Sequence, residues 1–318
     1  MIIKEIKYWL IRRLLKYSAP LLHQLEQPSI KKYGSQACAH QPVFIIGPPR
    51  TGSTILYQTL TQKLDVLYVD NLVNMSRGAT WFGFWLSRRL FCNKGHNSSS
   101  SEHGRTQGLH APNEGLFWYK WLPKGHDFID FGEIKPTAIN QLRQLINALM
   151  NRYKTPIVFK NLTFSVRLRL IKELYPKARI IYIKREPLYV AQSIIRSKEK
   201  DGLALQEVWS VKPREVEQLK KCSNNIQQAV RQVYYIEKQI EQDLKLFDKE
   251  QCMIINYEHL NVDALIHEVQ AFTGCKLRPN QEVIQLKVSN RQQIDDAQFD
   301  ALKQEIEQLD WKSYSTKI

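Results

Sequence analysis

The chain has 318 residues, 43% of them hydrophobic, enough for one large α/β domain or two small ones with a sizeable core. Lys and Arg total 46 against 31 Asp and Glu, a formal net charge of +15, so anionic partners are favoured; no arginine- or lysine-rich block reads as a nucleic-acid tail. Five cysteines, odd in number and widely spaced without a CxxC pair, point to a reduced compartment and away from a disulfide framework or structural zinc.

In chain order, Met1 to Tyr17 mixes apolar residues with Lys4, Lys7, Arg12, Arg13 and Lys16. That is too interrupted for a signal-peptide core or a bilayer-spanning helix and reads as a basic amphipathic helix. Its plainer reading is a helix packed on the domain; the other is a weak membrane-surface contact. Residues 18 to 42 carry Pro20, Pro28, Gly34 and Pro42 and read as a connecting segment. Residues 1–41 are therefore expected to form an amphipathic helix and linker, with one domain over 42–318. With neither a signal nor a spanning segment in view, the expected location is cytoplasmic, with membrane association left open.

Val43 to Ile46 reads as a strand, Gly47-Pro48-Pro49 as the start of a tight loop, and Thr54 to Leu64 as a helix with apolar residues at helical spacing. A Trp-, Gly- and Ser-rich stretch follows, including Asn97 to Ser101, and is expected to be a lid insertion around 78–125. Its aromatic residues suit either an acceptor pocket or a subcore under a loop. The alternation then resumes. Ile157–Lys160, Arg179–Lys184 and Cys252–Asn256 read as strands, followed by helices over Phe164–Tyr175, Leu188–Arg196 and His259–Phe272. Arg214 to Phe247 interrupts them with one long helix or two. Alternating strands and helices imply an α/β fold, a three-layer sandwich around a mostly parallel central sheet.

The loop between the first strand and helix carries the chemistry. In Val43-Phe44-Ile45-Ile46-Gly47-Pro48-Pro49-Arg50-Thr51-Gly52-Ser53-Thr54, the backbone N–H groups opening the helix have no intrahelical partner and can hold an anion. Gly52 permits close backbone approach, and the hydroxyls of Thr51, Ser53 and Thr54 add donors. The Gly47-to-Gly52 spacing matches the nucleoside-triphosphate loop GxxxxGK[ST], but Ser53 stands where that loop has lysine. Arg50 supplies the cation from within the loop, so a phosphate tail is implied and triphosphate hydrolysis is not.

The loop resembles PxFIxGxPR[ST]G[ST]T, the 5′-phosphosulfate-binding loop of sulfotransferases that use 3′-phosphoadenosine 5′-phosphosulfate (PAPS). Arg179 to Ser193, a strand ending in Arg185-Glu186-Pro187 with Ser193 in the following helix, is similar to that family's 3′-phosphate segment. Tyr257-Glu258 and Phe272-Thr273-Gly274 match weaker positions near the family's end. The resemblance spans roughly residues 42–275 and implies a P-loop NTPase-like fold. It implies PAPS as donor without a metal, and sulfuryl transfer to a hydroxyl or amine of a small-molecule, carbohydrate or lipid acceptor. It assigns Arg50, Thr51, Gly52, Ser53, Thr54, Arg185 and Ser193 to the donor and Lys160 to the neighbourhood of the sulfuryl group. Gly108 to Glu114 resembles the family's acidic segment, making Glu114 the expected general base and His110 the second choice. Two other readings remain: a P-loop nucleotide kinase or NTPase, and a non-catalytic protein that binds anions or membranes.

Overall fold

The computed structural model describes residues 2–92, 94–96, 101–102, 105–106, 108–259, 262–278 and 290–313. In chain order its elements are α1 (Ile2–Gly34), β1 (Val43–Ile46), α2 (Ser53–Lys63), β2 (Leu64–Asp65), α3 (Asn71–Met75), α4 (Thr80–Phe91), β3 (Ser101–Glu102) and β4 (Arg105–Thr106). Then come α5 (Pro136–Tyr153), β5 (Val158–Phe159), α6 (Leu168–Leu174), β6 (Arg179–Lys184), α7 (Pro187–Lys200), α8 (Val216–Lys220) and α9 (Asn225–Leu244). The last are β7 (Cys252–Asn256), α10 (Val262–Thr273), β8 (Lys276–Leu277) and α11 (Asp296–Glu307). Among the described residues no helix is long and apolar enough to cross a membrane.

Four strands form one parallel sheet in the order β5-β1-β6-β7, with Val43 opposite Val158 on one side and Arg179 on the other. Leu67 extends the sheet beyond β5 through a parallel bridge to Ile157. The period of two along each strand builds the sandwich. Phe44, Ile46, Phe159, Ile180 and Tyr182 enter one core with residues of α5, α6 and α9. Val43, Ile45, Val158, Ile181 and Ile183 enter the other with residues of α2 and α10. The strand order reverses between β1 and β6, so their carboxyl ends border the crevice where open α/β sheets bind ligands.

Two expectations need correction. The linker expected from residue 18 is helix as far as Gly34, with Pro20 and Pro28 inside α1. Each proline removes one intrahelical bond and costs on the order of 3 kcal/mol. Both prolines are exposed, where solvent can serve the carbonyls left over, and tertiary packing holds the helix together. Leu15 and Ile30 are buried, and Asn151 on α5 donates to the Tyr33 carbonyl at 2.8 Å. Gly34 lies so close to α5 that a Cβ there would meet the Gln144 carbonyl at 2.6 Å.

The stretch expected as a lid is in large part core. Residues 80–91 form α4, and Trp81, Phe84, Phe117 and Trp118 are buried in the same cluster as β1. Trp118 packs edge-on against Phe159 and Phe164, with ring centroids 4.7 and 4.5 Å apart. The subcore reading describes Trp81, Phe84, Phe117 and Trp118; Trp85 is exposed. Asn97 to Ser100 lie outside the described residues.

Candidate active site

Strand β1 delivers the chain into the crevice at Gly47, where Ser165 clamps the turn. Its hydroxyl accepts from the Gly47 N–H at 2.9 Å and donates to the Gly47 carbonyl at 2.8 Å. Thr51 is fully buried and closes the loop on itself, its hydroxyl donating to the Pro48 carbonyl at 2.9 Å. Gly52 then takes a left-handed φ of 88°, and a Cβ there would strike the Tyr257 ring at 2.6 Å. Both the conformation and the space require glycine. No side chain caps the start of α2, whereas Asp70, Asn224 and Asp295 cap α3, α9 and α11. The first N–H groups of α2, at the positive end of its dipole, are left without a side-chain cap.

Arg50 holds a φ of 73°, a conformation that costs a residue with a side chain roughly 1–2 kcal/mol. Two contacts from the Arg185–Ser193 segment keep it there. Arg185 Nη1 donates to the Arg50 carbonyl at 2.8 Å, and Arg50 Nε donates to Ser193 Oγ at 2.8 Å. Two stretches of chain about 140 residues apart therefore meet in one cluster at the ends of β1 and β6. Burial first, then the neighbouring charges of Arg185 and Arg196, lower the Arg50 pKa. Burial likewise lowers that of Arg185, whose guanidinium lies 4.5 Å from the centre of the Tyr257 ring. Neighbouring cations that repel one another are stabilised by an anion.

At the end of β5, Lys160 turns its ammonium onto Thr54 Oγ1 at 2.9 Å, so its charge sits over the first turn of α2. Glu114 fixes the lysine from behind. Its Oε1 accepts from the Lys160 backbone N–H at 2.5 Å and its Oε2 from Trp118 Nε1 at 3.0 Å. Burial raises the Glu114 pKa to about 7 against the pull of those bonds and of Lys160. Burial lowers the Lys160 pKa to about 8, with Glu114 opposing.

His110 is turned elsewhere. Its Nδ1 lies 3.0 Å from Asp70 Oδ2, and its Nε2 lies 2.7 Å from the Lys94 carbonyl and 2.9 Å from the Tyr68 hydroxyl. Phe91 stacks on the ring at 4.2 Å. None of these partners belongs to the phosphate loop, to Lys160 or to the arginine cluster.

Three contributors escaped the sequence reading: Ser165, Asn290 and Arg196. Asn290 accepts from Arg185 Nε at 3.0 Å and donates to Glu258 at 2.9 Å, and Glu258 also accepts from the Glu186 N–H at 3.0 Å. No local pattern marks Asn290, because its role is set by where a segment 105 residues downstream crosses α7. Ser165 at the turn after β5 and Arg196 a turn beyond Ser193 carried positional cues only.

A sequence profile of the sulfotransferase family matches residues 42–279, which include the loop, both arginines and Lys160. The chain belongs to the sulfotransferase family. The omega-hydroxy-beta-dihydromenaquinone-9 sulfotransferases Stf3 of Mycobacterium bovis and Mycobacterium tuberculosis are each 24% identical over 182 residues, covering 52% of this chain and 47% of the relative. The chain thus aligns with about half the length of these curated relatives. In fold it is similar to the crystal structure of sulfotransferase STF9 from Mycobacterium avium, with a TM-score of 0.50 at 14% identity over 80% of this chain and 68% of that one. Sulfotransferase STF1 from Mycobacterium tuberculosis superposes with a TM-score of 0.50 at 15% identity, covering 82% of this chain and 74% of that one. The sandwich architecture around a parallel sheet is that of this family.

Proposed function

We propose that the protein transfers a sulfuryl group from PAPS to a hydroxyl or amine acceptor. The observation that carries this reading is the junction of Arg50, Arg185 and Ser193 beside an uncapped helix start. Such a site suits a ligand with two separated phosphate groups. The N–H groups of α2, with Ser53 and Thr54, face the 5′ end of the donor, buried Thr51 holds the loop's shape, and Arg50 bridges to the 3′ end held by Arg185 and Ser193. PAPS supplies the activated sulfur. The acceptor atom bonds to sulfur as the bond from sulfur to the phosphate oxygen breaks, and the electron pair leaves with adenosine 3′,5′-bisphosphate.

Lys160, placed over Thr54, neutralises the charge developing on that leaving oxygen. Glu114, with a pKa near 7, takes the acceptor proton and also sets the lysine's position. The acceptor class is a small molecule, carbohydrate or lipid; the lipid option is supported by the hydroxylated menaquinone in the name of the curated relatives. A cytoplasmic setting accords with five free cysteines.

Calorimetric titration with adenosine 3′,5′-bisphosphate tests the donor site. Binding with a Kd of about 10 μM or tighter is expected from several charge-assisted bonds, and Arg185→Ala should weaken it roughly ten- to hundredfold. No binding by the unaltered protein at tens of micromolar would remove the proposal. Turnover of labelled donor across sugars, lipids and phenols then identifies the acceptor.

A further inference from the structure

Helix α1 is apolar on two sides. One side faces the domain: Leu15 and Ile30 are buried, and buried Glu26 accepts from the Phe82 N–H at 3.1 Å, capping the start of α4. The other side carries Trp9, Leu10, Leu14, Tyr17, Leu21 and Leu25, each between 53% and 70% exposed. At 100° per residue these six fall within an arc of roughly 160°. A helix that is apolar all round is ordinarily covered all round, and a contiguous exposed stripe of this kind marks a binding surface.

Charge decides what covers it. Residues Ile2–Gly34 include Lys4, Lys7, Arg12, Arg13, Lys16, Lys31 and Lys32 against only Glu5 and Glu26, and Glu26 is buried in the domain contact. Arg12, Arg13 and Lys16 are exposed beside the stripe. The Arg13 guanidinium sits 4.5 Å from the centre of the Trp9 ring and 5.9 Å from that of Tyr17. Aromatic rings bordered by cations suit the depth at which lipid headgroups meet acyl chains. A second copy of α1 would set like charge against like. We propose that the outward face of α1 lies on the surface of an anionic lipid bilayer, its leucines inserted to headgroup depth and its basic residues against lipid phosphates. This goes beyond the transfer reaction and does not depend on the donor site.

The test is flotation of the full chain with phosphatidylcholine vesicles, with and without phosphatidylglycerol, and sedimentation without lipid. Retention on anionic vesicles should exceed that on neutral ones about tenfold and fall as salt rises. Leu14→Glu/Leu21→Glu and, separately, Arg12→Glu/Arg13→Glu should each reduce it about tenfold or more, with the circular dichroism melt unchanged because all four side chains are exposed. If a leucine variant fails to fold, Leu14→Ser/Leu21→Ser replaces it. Quenching of fluorescence by brominated lipid should drop in Trp9→Phe. No retention, equal retention on neutral vesicles, or unchanged retention by the folded variants overturns the proposal. So does a dimer in lipid-free buffer that the leucine variant dissolves, which would assign the stripe to a second copy.

Discussion

Two polar clusters lie near the carboxyl edge of the sheet, and they differ in how their charge is balanced. In the first, Arg50 is flanked by Arg185 and Arg196, and the neighbouring carboxylate of Glu258 is already engaged by the Glu186 N–H and Asn290. In the second, Asp70 accepts from Ser87 at 2.5 Å and from the Val73 N–H at 2.8 Å and faces His110 at 3.0 Å. Among the described residues the second cluster pairs its carboxylate with donors, while the first brings three arginines together beside Glu258. A buried network whose members answer one another fixes the chain, whereas a surplus facing a crevice needs a ligand to complete it. The presence of a histidine beside a carboxylate does not by itself make a catalytic site.

The largest effect that sharpens this contrast is expected at Glu114. Glu114→Gln should lower kcat by about 10²–10⁴-fold. The pH profile separates its two roles. A base must be deprotonated, so the rate rises with pH through about 7, and it falls again as Lys160 loses its proton above about 8. The two groups interact, so these limbs belong to the pair. In Glu114→Gln the rising limb should vanish; a limb that persists would reduce Glu114 to a clamp for Lys160 and Trp118. Next in size, Lys160→Met should cost about 10²–10³-fold in kcat, with affinity for adenosine 3′,5′-bisphosphate altered far less. Equal losses in both would place the lysine in ground-state binding.

Much of this was legible in the sequence where local pattern decides. Strands β1, β6 and β7 begin and end at the residues that the apolar runs of Val43, Arg179 and Cys252 predict. The loop was legible because hydroxyls, glycines and one arginine crowd into a few positions. What failed was set by distant partners. Pro20 and Pro28 signal a break, yet α5 and α4 hold α1 through them. Resemblance alone favours Glu114 over His110, four residues before it. The segment between them runs antiparallel to residues 69–72, with the Leu109 and Ala111 carbonyls accepting from the Leu72 and Asn71 N–H groups at 3.0 and 3.1 Å. That pairing turns His110 to Asp70 and leaves Glu114 beneath Lys160.

The smallest expected effect on catalysis is therefore at His110, and it is the one that can break the contrast. Each ring nitrogen is taken up by protein partners, Asp70 on one side and the Lys94 carbonyl and Tyr68 hydroxyl on the other. His110→Gln should leave kcat and its pH limbs within about twofold of the parent, because among the described residues the hydrogen bonds of Asp70 and His110 go to Val73, Ser87, Tyr68 and Lys94 and not to the loop or Lys160. Stability should fall by about 1–3 kcal/mol, since the buried Asp70 carboxylate loses a partner. The melting midpoint should drop correspondingly, by roughly 2–4 °C per kcal/mol for a chain of this class or somewhat less. If His110→Gln instead abolished turnover while the melt stayed put, the self-satisfied cluster would be the reactive one, and charge surplus would lose its value as the mark of the site.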